Sequence, residues 1–402
     1  MFDTGFFAII QGFKVTTSVF RSDDDSYDRL SNHYSVILLV VFMILVGAKQ
    51  YVGDPLKCWV PAQFSGYWEG YADGYCWVKN TYWVAQDSDL PTKDLRKQEE
   101  IGYYQWVPFM LAIMALLFYL PSLIWRLMHW SAGVNVQSLV TKACDASSVD
   151  PSARNDTITM LARYIEDSLM VIDESKSNFS MRVKRALFCL CGTRRMGNYL
   201  TSLYLVVKLL YIANIVGQFF LLNEFLGTDY KLYGVQMLRD LANGVEWTES
   251  GHFPRITMCD FSIRTLGNRH NYTVQCVLMI NLFNEKIFIF LWFWFFILAI
   301  ATIVSLFYWI YRMTSSAERY RFVKHYLKIS RTYDNDRHYQ ILRNFVDNKL
   351  RTDGVFLLRL INLNAGDIVT TDLVTDLWAR YRASRNPSQL RDDEKEDEEV
   401  MV

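Results

Sequence analysis

The sequence predicts an all-α membrane protein built on a bundle of four transmembrane helices. Its 402 residues carry 42 basic and 42 acidic side chains, and 51% of the residues are hydrophobic. The zero net charge argues against a protein whose main partner is nucleic acid, because phosphate binding needs an excess of basic surface. The hydrophobic content excludes a mainly disordered chain. The apolar residues are concentrated in four separate runs, and this clustering decides the fold class.

The four runs match the dimensions of a bilayer, whose hydrocarbon core needs about 20 mostly apolar helical residues. The second and fourth runs meet this length, the third meets it with polar residues inside it, and the first is short. For a single run, a buried helix of a soluble protein would be a serious alternative. Four runs separated by polar segments favour membrane spans. The predicted spans are residues 34–51, 106–128, 200–222 and 287–311.

The basic residues beside the spans predict the orientation of the chain, because Lys and Arg accumulate on the cytoplasmic side. The clusters are Arg182, Lys184, Arg185, Arg194 and Arg195 before the third span, and Arg312, Arg319, Arg321 and Lys324 after the fourth. Both termini are therefore expected in the cytoplasm. The cytoplasmic parts are then the N-terminal segment 1–33, the loop 129–199, a helical C-terminal region 312–390 and an acidic, disordered tail 391–402. The extracellular parts are loop A (residues 52–105) and loop B (residues 223–286).

The seven cysteines fit this orientation. Cys58 and Cys76 lie in loop A, and Cys259 and Cys276 lie in loop B. Two pairs in an oxidising compartment predict disulfides, although the spacing leaves all three pairings open and buried free thiols are the alternative. The other three cysteines face a reducing compartment and are expected to be free thiols: Cys144, Cys189 and Cys191.

Several segments carry a specific family likeness. The second span begins with the pentapeptide Tyr103, Tyr104, Gln105, Trp106 and Val107, and Pro121 follows inside the span. The other matching segments are Ala48–Phe64, Ser250–Phe261, Asn284–Phe295 and Gly354–Trp378. In collinear order from about Asp23 to Trp378, the chain resembles the innexins, the gap-junction channel proteins of invertebrates.

The resemblance implies a ring of subunits around a pore, with an octamer favoured and a hexamer as the alternative. Two rings in apposed cells would dock through loops A and B, and the family pattern would pair Cys58 with Cys276 and Cys76 with Cys259. The implied function is a plasma-membrane gap-junction channel subunit that passes ions and small molecules between adjacent cells. Two alternatives stay open: an unpaired hemichannel, and a four-span adhesion or scaffold protein without conduction.

Candidate pore residues lie at both ends of the first span. Phe2 and Phe6 begin an apolar stripe of helical spacing, which predicts an amphipathic helix. The resemblance places this helix, with Asp3, in the cytoplasmic pore mouth, whereas the default position is the membrane surface. Lys49 and Asp54 mark the outer end of the span. Lys49 either faces the pore as an electrostatic barrier or extends to the membrane interface.

Polar residues inside the spans predict contacts within the bundle. A Lys at the centre of a span, such as Lys208, costs about 2.5–3.5 kcal/mol on insertion scales and should not face lipid. Asn214 and Gln218 are four residues apart and therefore share one helix face. A structural role is favoured over an ion site for all three. Pro121 is expected to kink the second span. Four tryptophans of loop A are candidates for docking contacts or for a local core: Trp59, Trp68, Trp77 and Trp83.

The remaining motifs concern modification and partners. Asn271 begins the one glycosylation sequon in an extracellular loop. Val400, Met401 and Val402 end the chain with a sequence that a PDZ groove can bind. The basic stretch 182–195 is a candidate for anionic lipid, and its cysteines are candidates for palmitoylation. The sequence shows no metal-ligand spacing, phosphate-binding loop or catalytic constellation, so neither a cofactor nor an enzymatic activity is expected.

Overall fold

The computed structural model describes residues 24–84, 89–98, 100–129, 134–146, 151–174, 197–225, 253–333 and 339–385. Several predicted features lie outside these residues. They are the N-terminal segment with Phe2, Asp3 and Phe6, the basic stretch 182–195 with Cys189 and Cys191, and the acidic tail with Val400, Met401 and Val402.

The described elements are mainly helical. The helices are α1 (Ser26–Tyr51, with π-helical geometry over Leu30–Tyr34), α2 (Gly66–Lys79), α3 (Lys93–Gln98), α4 (Val107–His129), α5 (Val136–Ala146), α6 (Pro151–Glu174), α7 (Tyr199–Phe225), α8 (Ile280–Thr314), α9 (Ser316–Ile329), α10 (Tyr339–Asn344, continued by π-helical turns over Phe345–Leu350), α11 (Arg351–Ala365) and α12 (Asp367–Ala383). The strands are β1 (Lys57–Trp59), β2 (Thr81–Tyr82), β3 (Glu100–Ile101), β4 (Ile256–Thr265) and β5 (Asn268–Val277).

Four of these helices are long and apolar enough to cross a membrane: α1, α4, α7 and α8. They correspond to the four predicted spans, and the predicted fold class is confirmed. Helices α1 and α8 begin at Ser26 and Ile280, well ahead of the apolar runs that start near residues 34 and 287. The early start of α1 has a local cause, because the Asp25 carboxylate accepts hydrogen bonds from the backbone N–H groups of Tyr27 and Asp28 at 2.8 and 2.9 Å. This is an N-cap, which satisfies donors that a helix terminus leaves unpaired.

Loops A and B also form a five-stranded sheet, in the order β1-β5-β4-β2-β3, which the sequence pattern did not predict. Its centre is the β4–β5 hairpin, where Leu266 and Gly267 form the two-residue turn with φ of +48° and +87°. Two positive φ values are typical of a type I′ turn, whose usual sequence signal is Asn-Gly. The turn here lacks that dipeptide, and the sequence signal for the hairpin is therefore weak.

The chain folds into two compact units. The first takes the described parts of residues 1–30, 121–211 and 302–402, and the second takes 31–120 and 212–301. In the first unit, α11 is buried along most of its length, from Asp353 to Ile361. It packs against α5, α9 and α12. At Gly354 a Cβ atom would lie 3.2 Å from side-chain atoms of Leu169 and Leu350, so glycine permits the close packing.

The predicted bundle contact of Lys208 is an ionic cluster inside the first unit. The Lys208 ammonium donates to Asp25 at 2.8 Å, to Asp28 at 2.7 Å and to the Ser305 hydroxyl at 2.6 Å. An ammonium has three protons, and each of them therefore has an acceptor. The Lys208 and aspartate side chains are almost completely buried. The cluster joins the start of α1 to α7 and to the end of α8.

Aromatic donors complete this cluster. Asp25 also accepts from the Ser305 hydroxyl at 2.9 Å and from the Trp309 indole N–H at 2.6 Å. Asp28 accepts from the Tyr204 hydroxyl at 2.7 Å. The Tyr204 ring in turn packs against Trp309 with ring centroids 5.0 Å apart. Tyr204 and Trp309 therefore donate hydrogen bonds to the buried carboxylates and also pack against each other.

We expect Lys208→Met to destabilise the protein by about 3–5 kcal/mol, because it leaves two buried carboxylates without a counter-charge. The measurement is thermal unfolding of the purified protein in detergent, followed by tryptophan fluorescence. The matched control is the neighbouring Leu209→Ala, whose side chain is 54% exposed and should contribute less than about 1 kcal/mol. Equal melting temperatures for the Lys208 variant and the wild type would contradict this account.

Candidate functional site

Two disulfides join loops A and B within the second unit. Cys58 bonds to Cys276 and Cys76 bonds to Cys259. Cys58 and Cys276 occupy directly opposed positions of β1 and β5, whereas Cys76 reaches β4 from α2. The sulfur atoms of Cys58, Cys76 and Cys276 lie within 4.8 Å of one another, but all three are consumed in disulfides and offer no thiolate to a metal ion. Cys144 is buried and lies outside these two bonds.

A polar cluster around Asp260 of β4 forms a second connection between the loops. The Asp260 carboxylate accepts from the Arg96 guanidinium at 2.7 Å, from the Tyr82 hydroxyl at 3.1 Å and from the Thr273 hydroxyl at 2.7 Å. Lys79 donates to the Asp260 backbone carbonyl at 3.0 Å. Arg96, Tyr82 and Lys79 belong to loop A, and Asp260 therefore ties three parts of that loop to loop B.

The charges in this cluster are tuned by their surroundings. Burial alone would raise the pKa of the Asp260 carboxyl, but the hydrogen bonds from Arg96, Thr273 and Tyr82 outweigh it and hold the pKa below its ordinary value of 3.8. Burial, together with the adjacent Asp260 carboxylate, raises the pKa of Tyr82 to about 12. Asp260 is therefore ionised and Tyr82 is a neutral donor at neutral pH.

The pentapeptide at the start of α4 fastens three elements together. Tyr104 is fully buried, with its ring 4.9 Å from that of Trp77 between centroids. The Gln105 amide donates to the Trp77 carbonyl at 2.6 Å, and the Gln105 carbonyl accepts from Gln50 at 3.2 Å. These bonds connect the ends of α1 and α2 to the start of α4. The other pentapeptide residues differ in exposure.

Tyr103 packs edge-on against Phe253, with ring centroids 5.8 Å apart. Val107 is buried, whereas Trp106 is 62% exposed. Pro121 lies inside α4, which continues to His129. The pentapeptide therefore has a structural role in the second unit, and one of its members, Trp106, remains available at the surface of the protomer.

The candidate residues at the end of α1 occupy different environments. Lys49 is half-buried in the last turns of the helix, and Asp54 is exposed just beyond it. The Lys57 ammonium lies 3.7 Å from Asp54 and 3.4 Å from Asp73, so a neighbouring cation offsets the Asp54 charge. The Asp73 carboxylate also accepts from the backbone N–H of Cys58 at 2.9 Å.

Aromatic and polar side chains remain at the surface of the braced loops. Trp59 is 76% exposed and Tyr67 is 92% exposed, while Leu266 at the hairpin turn is fully exposed. Trp68 is also exposed, whereas Trp77 and Trp83 are half-buried. Asn271 is exposed on β5, opposite Ser262 of β4.

In the third span, the two amides lie together. Gln218 donates to Asn214 and to the backbone carbonyl of Met114, both at 3.4 Å. The second of these long hydrogen bonds joins α7 to α4, as a bundle contact requires.

Sequence reasoning missed four residues of the two polar clusters, because their partners lie far away along the chain. They are Asp25, Asp28, Arg96 and Asp260. The one available signal was the spacing of Asp25 and Asp28, which is that of a helix N-terminus.

Four helices are long and apolar enough to cross a membrane, and the two long loops between them are joined by disulfides and a shared sheet. These features define a multi-pass membrane protein with a covalently braced platform. The family model for innexins matches residues 24–381. The chain belongs to the innexin family.

Individual relatives support the assignment along nearly the whole length. Innexin unc-9 of Caenorhabditis elegans is 50% identical over 366 residues, which cover 90% of this chain and 93% of that protein. Innexin-3 of the same organism is 40% identical over 362 residues, covering 90% and 84%. Innexin-19 of Caenorhabditis briggsae is 37% identical over 398 residues, covering 93% and 90%.

Family membership confirms the main functional prediction. The chain is a subunit of an oligomeric gap-junction channel, and it is a multi-pass membrane protein rather than an enzyme. Family membership favours neither the adhesion or scaffold alternative nor a hemichannel that never pairs.

Asp260→Asn should lower the free energy of unfolding by about 1–2 kcal/mol at pH 7, because the charged acceptor of three hydrogen bonds is lost. The folded-state pKa of Asp260 is lowered, so its contribution is complete above the ordinary value of 3.8 and is lost as the pH falls through the folded-state pKa. The difference between the melting curves of variant and wild type should therefore begin to shrink below about pH 4 and vanish once the pH is below the folded-state pKa.

The control for this pH series is Glu69→Gln, which neutralises an exposed carboxylate on α2. We expect an effect within about 0.5 kcal/mol at every pH. A difference between Asp260→Asn and wild type that stayed constant from pH 7 to pH 3 would show that the carboxylate charge contributes nothing.

Proposed function

We propose that the platform formed by loops A and B is the surface through which two rings in apposed membranes dock. The observation that carries this proposal is the double bracing of the loops, by two disulfides and by the five-stranded sheet. Each disulfide contributes on the order of 2–4 kcal/mol by restricting the unfolded chain. Because the loops are already ordered before contact, docking does not carry the entropy cost of ordering them, and its affinity is higher.

The exposed side chains of the platform suit a docking role. Trp59 and Tyr67 present large aromatic surfaces, the type of side chain that dominates binding energy at protein interfaces. Leu266 projects from the hairpin turn. In this proposal both termini are cytoplasmic, as the basic residues beside the spans predict, and loops A and B face the neighbouring cell.

The proposed assembly is an octameric ring, with a hexamer as the alternative. Helix α1 leaves an apolar face exposed in the single protomer, formed by Ile37, Val41 and Ile44 at helical spacing. Such a face needs lipid or a neighbouring subunit to cover it, and a ring supplies the neighbouring subunit. The proposed pore residues are Lys49 and Asp54 at one end of the first span, with Phe2, Asp3 and Phe6 at the other.

Two further proposals concern the outer surface and the tail. A glycan on Asn271 would project from the docking face and would favour a ring that functions unpaired. A fall in mass after enzymatic removal of glycans would reveal such a glycan, and an unchanged mass would exclude it. Two further partners are proposed from the sequence alone. A PDZ domain would bind Val400, Met401 and Val402, which a pull-down with a tail peptide tests. Anionic lipid would bind residues 182–195, which a vesicle-binding assay tests.

Expression in paired cells that lack other channels tests the docking proposal. We expect junctional conductance for the wild type and its loss in the double variant Cys58→Ser/Cys276→Ser, because the platform loses one of its two covalent braces. Cys144→Ala is the control, since Cys144 lies outside both disulfides. Surface labelling must show equal delivery of all three proteins.

The outcomes of this experiment separate the functional candidates. Current in single membranes without junctional current would favour the unpaired hemichannel. Absence of both currents in wild type at normal surface delivery would defeat conduction altogether. Full junctional conductance in the cysteine variant would show that docking does not need the brace.

Lys49→Glu tests the proposed pore position of Lys49. Reversing one charge per subunit around a pore should shift the permeability ratio of K⁺ to Cl⁻ toward K⁺ by at least about twofold, measured from reversal potentials in a KCl gradient. Lys97→Glu is the control, because this exposed lysine of loop A lies on α3, outside the proposed pore residues and outside the Asp260 cluster. Identical reversal potentials for Lys49→Glu and the wild type would remove Lys49 from the pore.

A further inference from the structure

A cleft of about 470 Å³ lies in the first unit between α9 and the segment formed by α10 and its π-helical continuation. Three cationic side chains line it, Arg321, Lys324 and Arg343, together with the rings of Tyr320 and Tyr339. We call this the basic cleft. It begins at Ser316, two residues after α8 ends at Thr314.

The acidic groups nearby offset only part of this charge. Arg321 donates to Glu318 at 2.6 Å, and Arg343 lies 3.9 Å from Asp347, the one acidic residue in the lining. Asp347 is shared with Arg319, at 3.8 Å. Two carboxylates therefore face four cations, so the cleft carries a net positive charge.

Lys324 and Arg321 are accessible to a ligand. The Lys324 ammonium lies 5.5 and 5.4 Å from the ring centroids of Tyr320 and Tyr333, as in cation–π contacts, which leave ammonium protons for other acceptors. The Arg321 side chain is 74% exposed, although it contacts Glu318. The basic cleft therefore combines open volume with cations that can bind further carboxylates.

The chain leaves the described structure beside this cleft. Near the end of α12, Tyr381 packs against Phe345 with ring centroids 5.0 Å apart, and Arg385 lies over the Tyr381 ring at 5.2 Å. Phe345 belongs to the π-helical segment that supplies Asp347 to the cleft. The end of α12 therefore contacts the same helical segment that lines the cleft, and a helix with its side chains is only about 10 Å across.

The sequence beyond Arg385 carries the opposite charge. The segment 392–399 reads Asp-Asp-Glu-Lys-Glu-Asp-Glu-Glu. Seven residues lead from Arg385 to Asp392, and an extended chain covers about 3.3–3.6 Å per residue. A reach of roughly 23 Å exceeds the width of a helix, so the acidic segment can enter the cleft of its own subunit.

We propose that the acidic segment 392–399 binds in the basic cleft. Its carboxylates form charge-assisted hydrogen bonds with Arg321, Lys324 and Arg343. The tether favours this occupant over a free anion, since a short flexible linker holds its ligand at an effective concentration in the millimolar range. Because the cleft lies on the helix that follows α8, occupancy brings a charged segment to the end of the last span.

The test uses a protein that ends at Arg385 and a fluorescent peptide of residues 386–402, with binding followed by fluorescence anisotropy in detergent. We expect saturable binding with a dissociation constant below about 1 mM, the effective concentration that a short tether provides. The affinity should fall as salt is added. A peptide with Asn and Gln in place of the acidic residues should not bind.

Charge reversal locates the site. Arg321→Glu/Lys324→Glu/Arg343→Glu should weaken binding of the peptide at least about tenfold, because three ion pairs become repulsive. The matched control reverses three exposed cations outside the lining, Lys142→Glu/Arg163→Glu/Lys328→Glu, and should change the affinity less than about twofold. A peptide with Lys in place of its seven acidic residues should bind the reversed cleft and restore the lost affinity.

A second measurement uses the full-length chain. A photo-crosslinking amino acid in place of Tyr339 should give a crosslink to residues 386–402, detected by mass spectrometry, and cleft reversal should abolish it. Wild-type affinity in the reversed cleft, or no saturable binding of the peptide, would overturn the proposal. So would a cleft that binds vesicles with anionic lipid but not the peptide.

Discussion

The three protons of the Lys208 ammonium connect the start of α1, the middle of α7 and the end of α8. A side chain that is almost completely buried has no water to replace a missing partner, so each polar group of the cluster must find its partner within the protein. Two carboxylates, one hydroxyl and one ammonium satisfy one another here. Removing any of them leaves a polar or charged group unsatisfied in an apolar medium, and the arrangement of these three helices therefore depends on the complete set.

The second unit is held by a different means. Its loops bury a small set of apolar side chains, among them Leu56 and Phe261, but neither of their helices, α2 and α3, is buried along most of its length as α11 is. Disulfides and the Asp260 cluster supply the missing constraint. The loop surface is stabilised by covalent and charge-assisted bonds, whereas the first unit combines the Lys208 cluster with apolar packing around Phe356 and its neighbours.

The sequence alone predicted the features that depend on local composition. The four spans follow from the length of the apolar runs, and the requirement that Lys208 avoid lipid follows from the insertion cost of a charge. Its partners could not be predicted, because Asp25 and Asp28 lie about 180 residues away along the chain. The hairpin was missed since its Leu266-Gly267 turn lacks the usual dipeptide. Long-range contacts such as Arg96 with Asp260 leave no periodic pattern in sequence.

The pairing of Cys58 with Cys276 also has a consequence for biogenesis. The two residues are 218 positions apart, with the complete spans α4 and α7 between them. At a synthesis rate of about 5–20 residues per second, Cys58 waits roughly 10–40 seconds before its partner has even been made. During that interval loop A carries reactive thiols without their native partners. Loop A can form incorrect disulfides at this stage. Such disulfides must be rearranged by thiol–disulfide exchange before the protomer can assemble.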